Sequence, residues 1–236
     1  MKFIATVLLP VSVMVLLLLC GCLGTEGWNA QDWIEQGNRF AKDGLYTEAV
    51  DAYSRSLRLD PLNPKAWTWR GIALQHLDRL QEAMNDFDEA IRLNPNESGA
   101  WQGKASVYID TGQYKLAIKS AERSLELAGP GDKMENSWLI IGFAYNRLEQ
   151  YEDALLQFDK AIEKDPKRID LWQHKAYTLT KLARFMEVLK CYEVMTGIEH
   201  DNPELWNKKG EIHLALGQIN EANEAFTIAK GLIERN

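Results

Sequence analysis

Six tryptophans recur along the chain at nearly constant spacing. Trp33, Trp67, Trp101, Trp138, Trp172 and Trp206 are separated by 34, 34, 37, 34 and 34 residues. A fixed period of that length marks an array of equivalent modules, not one large domain. Setting each Trp at position 4 of a unit brings other positions into register. Position 8 reads Gly37, Gly71, Ala105, Gly142, Ala176 and Gly210; position 20 reads Ala49, Ala83, Ala117, Ala154, Val188 and Ala222. Position 24 reads Tyr53, Phe87, Ala121, Phe158, Tyr192 and Phe226, and Pro61, Pro95 and Pro166 fall at position 32. Within a unit the small and apolar residues recur at three and four, as in Trp67, Gly71, Leu74 and then Leu80, Ala83, Phe87, Ala90. That spacing lays a stripe along one face of each of two helices. Gly44, Gly112 and Gly217 fall between the helices, where glycine takes a positive φ at little cost. The prolines separate one unit from the next. No single pair buries its stripe alone, so stacking has to supply the core.

The register resembles the tetratricopeptide repeat and covers nearly all of the chain after its first segment. The resemblance implies an all-α fold: a right-handed α-α superhelix, or solenoid, of six helix-turn-helix units. These occupy residues 30–63, 64–97, 98–134, 135–168, 169–202 and 203–236. Two units depart from the pattern. Unit three ends in Ala128-Gly129-Pro130-Gly131-Asp132-Lys133, three residues longer than the norm, where its second helix should stop. Unit five lacks the position-32 proline and carries Val188 at the small position, so looser packing is expected there.

Residues 1–21 read as an address. Lys2 precedes an apolar run from Phe3 to Leu19, the pattern of a secretory signal. Leu19-Cys20-Gly21-Cys22 resembles the lipobox of prokaryotic lipoproteins, which places a lipidated N-terminal residue at Cys22. The rival reading is an uncleaved anchor, since about 20 apolar residues span a bilayer. Both readings carry the rest of the chain across the membrane. Residues 22–29 would then form a tether reaching at most about 25 Å from Leu23. Trp28 is expected to pack on the first helix.

In the resembled family the first helix of each unit faces the concave side with positions 2, 5, 6, 9, 12 and 13. Those positions yield an apolar, aromatic groove for a peptide: Asn38, Trp69, Ile72, Gln102, Gly103, Leu139, Phe143, Arg147, Gln173 and Tyr177. Gly99 and Gly103 would leave a hollow for a ligand side chain. The rival reading is that a tight superhelix uses some of these residues for its own packing. The chaperone-tail clamp of the family needs Lys, Asn, Asn, Lys and Arg where this chain has Ile34, Asn38, Trp69, Gly99 and Gly103. Only Asn38 matches, and that ligand class is rejected.

Position 7 is basic in four units (Arg70, Lys104, Lys175, Lys209), which reads as a long side chain laid over each helix pair in preference to an anion site. The net charge of −7 gives no general attraction for nucleic acid phosphates. Three cysteines and four scattered histidines make neither a disulfide framework nor a metal site, and no phosphate loop, HExxH or GxSxG is present. Cys191 reads as a buried structural thiol. An enzyme is not expected, nor a cofactor. Asn96-Glu97-Ser98 is a glycosylation sequon in an exported chain. The expected function is a membrane-tethered scaffold that binds a protein or peptide for assembly of an envelope or surface complex, held at the outer face of the cell membrane or in the envelope. Pilus-biogenesis lipoproteins share that plan. The alternative is a self-associating module, a homodimer through the C-terminal repeat with Leu232 and Ile233 partly exposed.

Overall fold

The computed structural model describes residues 27–235. The apolar leader and Cys22 lie outside the described residues. The described residues form twelve α-helices and no strand: α1 (Ala30–Lys42), α2 (Tyr46–Leu59), α3 (Pro64–His76), α4 (Leu80–Leu93), α5 (Ser98–Asp110), α6 (Tyr114–Leu127), α7 (Met134–Arg147), α8 (Tyr151–Lys164), α9 (Ile169–Lys181), α10 (Phe185–Ile198), α11 (Pro203–Ala215) and α12 (Ile219–Ile233). Each helix packs chiefly on its neighbours in sequence, which is the geometry of a solenoid.

The same turn closes all six pairs. The amide at position 16 donates to the carbonyl at position 11, as Leu45 does to Phe40 and Gln218 to His213, over 2.8–3.0 Å. This is the Schellman closure, and it puts position 15 in the left-handed region. Gly44, Gly112 and Gly217 occupy that position in three units, while Asp78, Glu149 and Ala183 take φ of 58°, 61° and 55° in the others. At the starts, Asn29, Asn63 and Asn202 cap α1, α3 and α11 with their side-chain oxygens.

The seams between units are built from position-specific fits. Trp67, Trp101, Trp172 and Trp206 are half-buried, and each indole N–H donates to the carbonyl six residues back, in the loop joining two units (Pro61 2.9 Å, Pro95 3.2 Å, Pro166 2.9 Å, His200 2.8 Å). Trp28 packs on Trp33 with ring centroids 4.7 Å apart. The rings at position 24 go deeper: Tyr53, Phe87 and Phe158 are fully buried. Each lies over the position-8 glycine of its own unit, where a methyl group would meet the ring at 2.5–2.7 Å (Gly37, Gly71, Gly142). Glycine is required there for close approach. In unit three the pair is Ala105 and Ala121, both fully buried.

Positions 21 and 28 of the second helix meet the first helix of the next unit. Val50 packs with Ala73 and Leu74, and Leu57 with Ala66. Ile118 and Leu125 pack on Ile141, while Leu155 meets Ala176 and Ile162 meets Leu171. Unit six carries Asn223 and Lys230 at these two positions, both exposed. At the other end, unit one presents Asp32 and Arg39 where inner units bury Ala66 or Leu171 and Ala73 or Thr178. The outward faces of both end units are therefore more polar than the seams they would otherwise form.

The two departing units show how the chain absorbs irregularity. The loop after α6 folds back on its own unit: Asp132 Oδ2 accepts from Ser98 Oγ at 2.7 Å and from the Gly129 amide at 2.9 Å. In unit five the α9 and α10 backbones approach less closely than the other pairs. The looser packing takes the form of wider spacing, occupied by fully buried Val188, Cys191 and Met195.

Candidate functional site

The inner surface is a ladder of first helices, α1, α3, α5, α7, α9 and α11, one repeat apart. Position 6 on this ladder turns into the seam. Trp69 lies 6.3 Å from the Tyr53 ring and packs with Ile34 and Leu57. Gly103 is buried against Phe87, where a methyl group would overlap the ring. His174 stacks on Phe158 at 5.8 Å. Ile140 packs beside Ala105, Ala121 and Ile141. The hollow expected at Gly103 is thus filled by Phe87, because in units two to five position 6 meets position 24 of the unit before. Burial lowers the pKa of His174, favouring its neutral form.

Most polar members of the ladder are committed to the neighbouring unit. Gln75 Nε2 donates to Ser106 Oγ at 2.7 Å and to Asp110 Oδ2 at 2.6 Å. Gln102 Nε2 donates to Ser137 Oγ at 3.1 Å and to the Lys133 carbonyl at 3.3 Å. Asn146 Nδ2 donates to Thr178 Oγ1 at 2.8 Å, and both residues are buried. Arg147 Nε donates to the Tyr114 hydroxyl at 2.9 Å, its guanidinium 5.6 Å from that ring's centre. Asn38 accepts from the Tyr53 hydroxyl at 2.7 Å; burial pushes that phenol up to about 12, so it stays a donor. Apart from the Gln102–Lys133 and Asn38–Tyr53 bonds, which stay within one unit, these bonds run between units and span 31 to 35 residues, about one period. Sequence reasoning missed Ser106, Ser137, Thr178 and Tyr114 as their partners, although polar pairs one repeat apart were there to be read.

A smaller set of side chains remains open to a ligand. Ile72 is 38% exposed and Tyr177 is 54% exposed. Gln173 is exposed one turn from Tyr177 on α9, and the Lys181 amine sits 5.2 Å from the Tyr177 ring centre. Phe143 is half-buried, its edge toward His174 at 5.9 Å, and Leu139 is half-buried against Ala161, Ile162 and Leu171. Of the ten residues assigned to the groove, Asn38, Ile72, Arg147, Gln173 and Tyr177 are exposed, Asn38 and Arg147 with a hydrogen bond to a tyrosine. Phe143 and Leu139 are half-buried, while Trp69 and Gly103 serve the seams.

The other candidates resolve into structure. Arg70 forms two bonds to Asp86, 2.7 and 2.8 Å, and lies 4.7 Å from the Trp67 ring centre. Burial raises the Asp86 carboxyl above its usual range, against the pull of Arg70. Lys104 pairs with Asp88 and Lys175 with Asp159, while Lys209 lies over the Trp206 ring. Three of these cations are held by carboxylates across helix pairs, not gathered around an anion. Burial pushes the Cys191 thiol up to about 11, which leaves it protonated and inert. Asn96 is exposed in the turn between α4 and α5. Among the described residues no cluster of His, Cys, Asp and Glu could hold a metal ion.

Tetratricopeptide repeat family models match residues 34–98, and 98–129 with 135–168, together more than half of the chain. The protein belongs to the tetratricopeptide repeat family, and its fold is that of a protein-interaction scaffold. It is 28% identical over 212 residues to anaphase-promoting complex subunit 3 of Schizosaccharomyces pombe, covering 89% of this chain and 31% of that protein. It is 32% identical over 198 residues to human DnaJ homolog subfamily C member 7, covering 82% of this chain and 36% of the relative. The chain thus spans about a third of the length of these relatives. Among solved structures, PilW, a type IV pilus biogenesis factor, superimposes with a TM-score of 0.74 at 15% identity, covering 83% of this chain and 90% of PilW.

Proposed function

We propose that the protein is a membrane-tethered scaffold, exported and anchored by lipid at Cys22 or by its apolar leader, that holds a partner peptide along the inner ladder for assembly of an envelope or surface complex. One observation carries the groove: Ile72 and Tyr177 stay exposed on a surface whose polar groups are mostly bonded to neighbouring units. A ligand gains little by breaking those bonds, so apolar contact dominates its affinity, with hot spots at Tyr177, Ile72 and Phe143. A pilus-type complex is one such assembly, supported by the leader and by the shared architecture with PilW. Self-association through unit six is supported by Ile233, 58% exposed, and opposed by Asn223 and Lys230 on the same unit.

The test uses the full chain in its own cells with a photo-crosslinking phenylalanine at Ile72 or Tyr177, and at exposed Glu221 as control. Adducts with one protein from both inner positions, absent from the control, support the reading. Inner-face adducts only with a second copy of the chain contradict it. Mass measurement of the N-terminal peptide separates a lipidated Cys22 from an intact anchor.

A further inference from the structure

Unit three breaks the repeat's own rules on the side away from the ladder, and the breaks converge. Position 19 is acidic in every other unit (Glu48, Glu82, Asp153, Glu187, Glu221) and is Leu116 here. The second helices of the other five units all carry an acid in the first turn, where it complements the helix dipole. α6 carries none and begins Tyr114-Lys115-Leu116. Leu116 is 44% exposed. Lys104 pairs with Asp88 of the preceding unit, as Lys175 does with Asp159, and the small Ser120 stands at position 23.

Leu116 lines a groove of about 520 Å³ between α5 and α6, whose apolar surface it forms with Trp101 and Tyr108. None of its lining residues belongs to the inner ladder positions. Its charges are Lys104, paired with Asp88; Arg123, paired with Glu126; Glu122; and Lys119. Lys115 lies one turn before Lys119. Neither Lys115 nor Lys119 has an ion-pair partner among the described residues. Two unpaired cations therefore flank an exposed leucine on a chain of net charge −7. An exposed leucine and a missing first-turn acid at the same helix start point to a binding role.

We propose that this groove is a second docking site, for an acidic segment of another protein that seats an aliphatic or aromatic side chain on Leu116, Trp101 and Tyr108 and places carboxylates against Lys115 and Lys119. The site stands independently of the inner ladder.

The test puts the photo-crosslinking phenylalanine at Leu116 in the full chain in cells, with the same residue at Glu221 as control, and sequences the captured segment. A synthetic peptide of that segment is then titrated against the purified protein. The expected result is a segment rich in Asp or Glu beside an apolar residue, whose affinity falls about tenfold in Lys115→Glu/Lys119→Glu. Leu116→Glu, which restores the acidic residue type of the other five units, is expected to weaken binding of that peptide by at least about tenfold while the thermal midpoint holds or rises. The proposal is overturned by no adduct above control, by adducts with lipid or a second copy of this chain, by a neutral or basic segment, or by an affinity indifferent to both variants.

Discussion

Between units two and three one phenylalanine meets two glycines; between units three and four two alanines meet two isoleucines. In the first seam Phe87 lies over Gly71 of its own unit and against Gly103 of the next. In the second, Ala105 and Ala121 leave the space that Ile140 and Ile141 fill. The bulk that fills the seam moves from the second helix of one unit to the first helix of the following one. The lesson is that positions 6, 8 and 24 are not independent. A glycine on the inner face is the complement of a ring behind it, and an isoleucine at position 7 replaces the usual cation because the ring is missing.

The largest expected effect is on the ring-filled seam. Phe87→Ala should destabilise by about 3–5 kcal/mol, read as the shift in a urea unfolding midpoint. Adding Gly103→Ile converts this seam towards the alanine–isoleucine kind and should recover part of the loss; no recovery in the double variant would break the exchange of volume. Gly103→Ala alone comes next. Helix propensity favours alanine by about 1 kcal/mol, but overlap with Phe87 should reverse the sign, leaving a net cost of about 1–3 kcal/mol.

A smaller contrast lies at position 27. Ser124 Oγ accepts from Ser137 at 3.3 Å, whereas the Ser56 hydroxyl is fully buried without a partner. Ser56→Ala should stabilise by about 1 kcal/mol and Ser124→Ala should destabilise by a similar amount. In the turns, Ala183→Gly should gain up to about 1 kcal/mol by relieving its positive φ, a change measurable by thermal unfolding. The smallest effect is electrostatic. Burial between Phe143 and Phe158 lowers the pKa of His174 from 6.5, so the unfolded chain binds a proton that the folded chain resists. The contribution of this residue is complete above 6.5 and is lost as pH falls from there towards the folded value. Unfolding curves between about pH 7.5 and 5.5 should be steeper in pH for the wild type than for His174→Gln.

Much of this architecture was legible in the residues. The Trp spacing, the small residues at positions 8 and 20 and the turn glycines Gly44, Gly112 and Gly217 all express one period, and a period is a local signal. The three non-glycine turn residues were invisible, because Asp78, Glu149 and Ala183 adopt a positive φ only when the closure of the helix pair imposes it. The groove was legible in part. The exposure of Ile72 and Tyr177 agrees with their register positions, but Gly103 reads as a hollow in the sequence because the ring that fills it comes from the preceding unit. Whether Gln75, Gln102 and Asn146 offer or withhold their hydrogen bonds likewise depends on a residue one repeat away.

The claim that the inner ladder recognises a partner through its few uncommitted side chains is tested most directly by affinity. A peptide matching the segment captured at Tyr177 would be titrated against wild type and Ile72→Ala/Tyr177→Ala, with thermal unfolding of each protein alongside. The account requires binding to weaken at least about tenfold, given that such hot spots are each worth more than 1 kcal/mol, while the unfolding midpoint stays in place. Unchanged affinity in the double variant would contradict it.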